Sequence, residues 1–206
     1  NSQMVNEKTE VVQDILKAAK KRLINYGLDK TTMNEIADDI GMSKASLYYY
    51  FTNKEDLFRA VIQHEHDHFI QQQVVHLPQV EDCCQLLFDY ADDRLSFFQD
   101  FLNLNKLSLG SINKSKPAIS RLFATFRDHE ILHIERILRK GVANHSFASI
   151  DIPAYAELFI SVLQGLRRNI ILKKDLIDIS QEDYRLLREQ YQLLVQLFCK
   201  GIKHES

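Results

Sequence analysis

Residues 31–57 read TTMNEIADDIGMSKASLYYYFTNKEDL. The run Thr32-Met33-Asn34-Glu35 has the spacing of a capping box, in which a hydroxyl closes a helix N-terminus and the glutamate three residues on reaches back. The helix it opens turns Met33, Ile36, Ala37 and Ile40 inward and ends at Gly41, a residue free to take the backbone angles of a bend. Ser43 caps a second short helix through Tyr50, with Ala45 small and Leu47 and Phe51 apolar. Thr52 or Asn53 caps the next helix, whose first turn sets Glu55 and Asp56 against the positive end of the helix dipole.

Outward from this stretch the pattern stays helical. Val11, Ile15, Ala18, Ala19, Leu23 and Tyr26 recur at three- and four-residue spacing over 10–26, and Gly27 supplies a stop. Longer helices are expected at 54–76, 80–104, 117–144, 153–174 and 181–201, with a short piece at 105–109 and breaks at 77–78, 111–116, 146–153 and 175–180. No strand alternation and no internal repeat is visible. The expected fold is all-α, with a three-helix N-terminal domain at residues 1–53 and a larger helical domain at residues 54–206.

Composition narrows the function classes. The 206 residues carry 26 Lys+Arg against 28 Asp+Glu, a net charge of -2 that excludes binding of nucleic acid or anionic lipid by bulk charge alone. Residues 1–10 are polar and no apolar run approaches the length of a membrane span, so neither a signal peptide nor a membrane partner is expected. Cys83, Cys84 and Cys199 form no disulfide ladder and no CxxC pair, which points to a reducing, cytoplasmic setting.

Two short helices joined by a glycine-containing turn make a helix-turn-helix, whose second helix enters the DNA major groove. Ser43, Lys44, Ala45 and Ser46 lie at the end of that helix from which side chains reach base edges. Tyr48 and Tyr49 offer hydroxyls to phosphates, and Lys54 can meet a phosphate at the start of the following helix. The stretch 31–57 resembles the DNA-binding domain of the TetR family of bacterial transcriptional regulators, and the likeness extends over about 11–61, with a fainter echo at 151–172. The resemblance implies a homodimer on a palindromic operator, with a C-terminal domain that receives a small molecule. By position it implies DNA contacts at Thr32, Ser43, Lys44, Ala45, Ser46, Tyr48, Tyr49 and Lys54. Tyr49 stands where many relatives have His.

Other patterns stand beside this one in the sequence. His129-Glu130-Ile131-Leu132-His133 fits the HExxH pattern of zinc hydrolases, with Glu157 as a conceivable third ligand, but the helix's own apolar spacing already accounts for it. His64 and His68 share a helix face, with His66 and Asp67 pointing elsewhere. No catalytic residue, metal or cofactor is expected. The last two helices carry more apolar surface than one core face needs, which suggests a four-helix dimer interface through Phe159, Leu163, Leu166, Tyr184, Leu187, Tyr191, Leu194 and Phe198. A second stripe of Leu186, Leu193 and Leu197 lies beside it. Phe88, Phe101, Phe123, Phe126, His129 and Phe159 are the candidates for lining an effector site. No charged constellation singles out an effector class, and a hydrophobic small molecule is the expectation. The sequence thus reads as a ligand-responsive, dimeric DNA-binding regulator, most readily a repressor. The alternatives are a zinc hydrolase and a regulator without a small-molecule effector.

Overall fold

The computed structural model describes the backbone of residues 2–104, 109–173 and 179–203, and the side chains of 9–100, 124–170 and 179–203. Eight helices follow one another: α1 Ser2–Lys30, α2 Met33–Asp39, α3 Lys44–Tyr50, α4 Lys54–His76, α5 Cys83–Leu104, α6 Leu109–Ala143, α7 Ile152–Lys173 and α8 Gln181–Ile202. Among the described residues, extended pairing is limited to an isolated bridge between Phe147 and Lys203. No described helix is long and apolar enough to cross a membrane. The all-α expectation holds.

Two compact units divide the chain, Asn1–Asp67 with Asp100–Leu122, and His68–Gln99 with Phe123–Ser206. The division falls inside α4 rather than at its start, because Leu57, Phe58, Val61 and Ile62 are buried in the first unit. In that unit α1 breaks at Gly27 (φ 78°, ψ 171°), the position of the expected stop, and resumes as far as Lys30. The buried Thr31 hydroxyl donates to the Gly27 carbonyl at 2.7 Å and closes the break. Ile15, Leu16, Ala19 and Leu23 of α1, Met33, Ile36 and Ala37 of α2, and Leu47 of α3 supply the rest of the core. On its surface Arg22 grips Asp39 with a fork, Nε at 2.6 Å and Nη2 at 2.8 Å, which ties α1 to α2. Hydrogen bonding to Arg22 holds the Asp39 carboxyl below its ordinary range.

The second unit buries one face of α5 (Cys83, Leu86, Leu87, Tyr90, Ala91, Leu95), with Ile134, Ile137 and Leu138 of α6, Phe159, Ile160 and Leu163 of α7, and Leu187, Tyr191 and Val195 of α8. The Tyr191 hydroxyl donates to the Leu163 carbonyl at 2.9 Å and pins α8 to α7. After α6 the chain turns back so that the Phe147 ring lies against Gly141, and the Ala148 N–H donates to the Ile202 carbonyl at 2.8 Å.

Two expectations are corrected. The break at 111–116 is helical and belongs to α6. Its Ser, Asn and Lys residues form no apolar stripe, yet extending an existing helix costs far less than nucleating one. The cysteine reading changes as well: Cys84 and Cys199 form a disulfide, with Cα atoms 6.0 Å apart and 115 residues between them in sequence, while Cys83 is free and buried. Spacing along the chain could not show that α5 and α8 bring them together. The short piece at 105–109 lies, except for Leu109, outside the described residues, as does most of the break at 175–180.

A Cβ on Gly141 would collide with the Phe147 ring, whereas one on Gly201 would meet nothing within 4 Å. Gly141→Ala is therefore expected to cost about 1–3 kcal/mol of unfolding free energy through overpacking. Gly201→Ala should leave the melting temperature at or above wild type. Thermal unfolding of the two variants side by side checks this.

Candidate nucleic-acid interface

The α2–α3 pair is set by its caps. The Thr32 hydroxyl oxygen accepts from the Glu35 N–H at 3.3 Å, and Glu35 Oε2 accepts from the Thr32 N–H at 2.9 Å, so both halves of the capping box are made. Hydrogen bonds from Thr32 also hold the Glu35 carboxyl below its usual range. At the far end Gly41 takes φ +66°, the Gly41 N–H donates to the Asp38 carbonyl at 3.2 Å, and the Met42 N–H donates to the Ala37 carbonyl at 2.9 Å. This pair of bonds is the Schellman closure, which needs a left-handed residue at that place. Two residues later the Ser43 hydroxyl accepts from the Ser46 N–H at 3.1 Å and starts α3.

Helix α3 is anchored through Leu47, which is wholly buried. Its other face is open: Ser43, Lys44, Ala45, Ser46, Tyr48 and Tyr49 are all exposed, Tyr49 to 74%. The Lys44 ammonium stands 5.8 Å above the Tyr48 ring, and Tyr49 meets Tyr50 edge-on at 5.2 Å. Two expected contacts sit differently. Thr32 is engaged in its cap, and the Lys54 ammonium donates to the Leu28 carbonyl at 2.7 Å, which docks the start of α4 on the end of α1. Lys54 retains two further N–H bonds, so the geometry gives it a structural task in addition to any phosphate contact.

The family model for bacterial regulatory proteins of the tetR family matches residues 15–61. A transcriptional regulator from Cytophaga hutchinsonii, solved as a crystal structure, is 36% identical, with 96% of this chain and 99% of that one covered at a TM-score of 0.86. The chain belongs to the TetR family. It is thus a transcriptional regulator with a DNA-binding helix-turn-helix. Among curated relatives, the negative regulator IcaR of the biofilm operon icaADBC in Staphylococcus epidermidis is 39% identical over 44 residues, 21% of this chain and 24% of that protein. An HTH-type transcriptional regulator of Staphylococcus aureus (strain USA300) is 31% identical over 100 residues, 48% of this chain and 52% of that protein. The chain thus spans a quarter to a half of the length of these curated relatives.

Outside its reading head this TetR chain places the other candidates less uniformly. Phe126 and Phe159 are buried, Phe88 is half-buried beside a groove between α5 and α8, and His129 is exposed; the side chains of Phe101 and Phe123 lie outside the described residues. Of the stripe expected at a dimer interface, Phe159, Leu163, Leu187 and Tyr191 lie in the chain's own core, and Leu166, Tyr184, Leu194 and Phe198 pack against it. On these two helices the described leucines left exposed are Leu158 on α7 and Leu186, Leu193 and Leu197 on α8. Of the histidines on α4, His66 is buried while His64 and His68 are exposed. Helix phase therefore turns inward the one that the sequence reading pointed away.

The carboxylates needed by a zinc-hydrolase reading are otherwise engaged. Glu130 Oε2 accepts from Arg94 Nε at 2.8 Å in a buried ion pair, and Glu157 is held by Arg127. His133 is 2% exposed and stacks on Tyr90 at 5.7 Å, while His129 faces solvent. The residues that sequence reasoning missed are Arg94 and Arg167. The available signal was an arginine falling inside the apolar stripe of α5 at 90, 91, 94, 95 and 98.

Burial, followed by the charge of Arg136, pushes the His133 pKa down to about 4. The unfolded chain takes up this proton near pH 6.5, so the folded state loses stability as pH falls from 6.5 towards 4. The loss reaches roughly 2 kcal/mol at pH 5. Urea unfolding at pH 7 and pH 5 is expected to show that loss in the wild type and a clearly smaller one in His133→Phe.

Proposed function

We propose that this TetR-family regulator is an effector-responsive repressor that binds a palindromic operator as a homodimer in the cytoplasm. The observation that carries the reading is the doubly capped α2–α3 pair, with the Leu47 face buried and the Ser43–Tyr49 face open. A helix held by caps and one apolar anchor is rigid enough to present side chains at base edges, and two of them spaced by about 34 Å enter successive major grooves. Lys44, Ala45 and Ser46 read bases, while Ser43, Tyr48, Tyr49 and Lys54 serve the backbone. Thr32 acts through its cap, by orienting α2.

Dimerisation rests on the exposed Leu158, Leu186, Leu193 and Leu197 of α7 and α8 rather than on the stripe already used by the core. Leu186, Leu193 and Leu197 recur at seven and four residues, so they share one face of α8. The name of IcaR as a negative regulator supports repression as the direction of control. Because α4 belongs to both compact units, an effector bound in the second unit has a continuous helix through which to favour one spacing of the reading heads over another.

Selection of bound fragments from a random DNA pool tests this reading, and an enriched palindrome is the expected result. Lys44→Ala should relax sequence discrimination with little change in stability. Lys54→Ala should weaken binding to all sequences, reduce the salt slope by about one phosphate, and also lower the melting temperature, because its bond to Leu28 is lost. Leu193→Asp with Leu197→Asp should give monomers by light scattering and abolish binding to the enriched palindrome. Retention of dimers in that variant would refute the assigned interface.

A further inference from the structure

The second unit contains a polar cluster inside its apolar core. Tyr90, Arg94 and Phe98 follow one another at four-residue intervals on α5, Glu130 and His133 lie on α6, and Arg167 reaches in from α7 with its guanidinium 4.5 Å above the Phe98 ring. Tyr90, Arg94, Glu130 and His133 are all almost completely buried. One ion pair is made, between Arg94 Nε and Glu130 Oε2 at 2.8 Å. Four buried polar atoms then have no hydrogen-bond partner among the described protein groups: Tyr90 Oη, Arg94 Nη1, His133 Nδ1 and Arg167 Nε.

Among the described residues, Glu130 is thus the one carboxylate that acts on both guanidinium groups, and it is paired with Arg94. Burial, with Arg94 next in effect, pushes the Arg167 pKa down to about 10, so the group keeps its charge at neutral pH. Burial also opposes the charge on Arg94, but Glu130 holds that pKa above its ordinary value. Among the described residues the site therefore carries one uncompensated positive charge. Both guanidinium atoms that lack partners are pure donors, and the Tyr90 hydroxyl can donate as well. Buried donors and a half-buried cation whose Nε is shut off from water are costly, and a group that brings acceptor atoms and a single negative charge removes both costs at once.

We propose that this cluster is the polar end of the effector site and that the effector is a small organic monocarboxylate. Its carboxylate lies between Arg94 Nη1 and Arg167, with Tyr90 and His133 completing its hydrogen bonds and Phe98 against the adjoining carbons. A phosphate dianion would replace an excess of positive charge by an excess of negative charge, whereas a carboxylate leaves the cluster neutral. The assignment deepens the effector-responsive reading above and rests on it for the consequence of binding, though not for the binding itself.

Thermal-shift titration of the full chain tests it, with a panel of straight-chain and aromatic monocarboxylates (hexanoate, decanoate, benzoate), methyl decanoate as the neutral control and decyltrimethylammonium as the cationic one. At least one acid should raise the melting temperature saturably, and the ester and the cation should not. Arg167→Met should raise the melting temperature of the protein without additive, because a half-buried cation with no ion-pair partner among the described residues is gone, and should weaken carboxylate binding by at least tenfold. Arg167→Lys, which keeps the charge, should retain part of the response. The proposal is overturned if no acid stabilises the wild type, if the ester stabilises it as well as the acid, or if Arg167→Met leaves the acid response intact. An enriched palindrome without any carboxylate response would overturn this assignment and leave the regulator reading standing. A carboxylate response without enriched DNA would do the reverse.

Discussion

A carboxylate taken out of water needs a cation at contact distance, and Glu130 meets that need through Arg94. The requirement does more than join two helices. With Glu130 inward, α6 must turn Ile134, Ile137 and Leu138 to the same side and leave Leu132 and His129 outside. With Arg94 inward, α5 presents Tyr90, Ala91, Leu95 and Phe98 to the core. Hydrophobic stripes alone are broad and allow a helix to rotate by part of a turn at little cost, whereas a buried ion pair has one register. An apolar pair of similar volume would give comparable stability, so the value of this one lies in specifying the arrangement and in leaving Arg167 without a counter-charge.

In the first unit a few side-chain bonds, neutral and charged, set the register. The break at Gly27, closed by the Thr31 hydroxyl, lets the Leu28 carbonyl accept from the Lys54 ammonium as well as from the Thr31 N–H. That bond fixes where α4 begins relative to α1, and Arg22 fixes where α2 ends by holding Asp39. The reading helix is thus located by a few side-chain to backbone bonds around a small apolar core. Residues 1–60 carry equal numbers of acidic and basic side chains, and several of the acids are occupied by these internal pairings rather than facing outward. Affinity for DNA then depends on placed donors instead of a general positive field.

Legibility in the sequence followed the range of the interaction. The capping box at Thr32, the stop at Gly27 and the glycine turn at Gly41 are written within four or five residues, and all three are found where the local pattern puts them. Helix α4 begins and ends at the expected residues for the same reason. Features that depend on which helix lies opposite were not legible. Helix α8 carries two apolar stripes, and only packing shows that Leu187, Tyr191 and Val195 are the inner one. The Cys84–Cys199 bond, the ion pair of Glu130 and the docking of Lys54 all join residues far apart in the chain. The HExxH run, set aside because its spacing is that of any helix face, meets a further obstacle that the sequence did not show: Glu130 is held by an arginine 36 residues away.

Position 41 shows how such a turn constrains the future of its gene. Every single-base change in a glycine codon that alters the residue adds a side chain, and the φ of +66° there admits few of them. Asparagine, a residue that tolerates this backbone well, lies two base changes away. Aspartate is one change away from GGT or GGC and tolerates it too, but it would set a negative charge beside the helix proposed to approach phosphates. The substitution that the backbone accepts is therefore the one that the nucleic acid repels. Drift at this turn is closed from both sides, and on the proposed reading new operator preferences arise from the open face of α3 while the bend that presents it stays as it is.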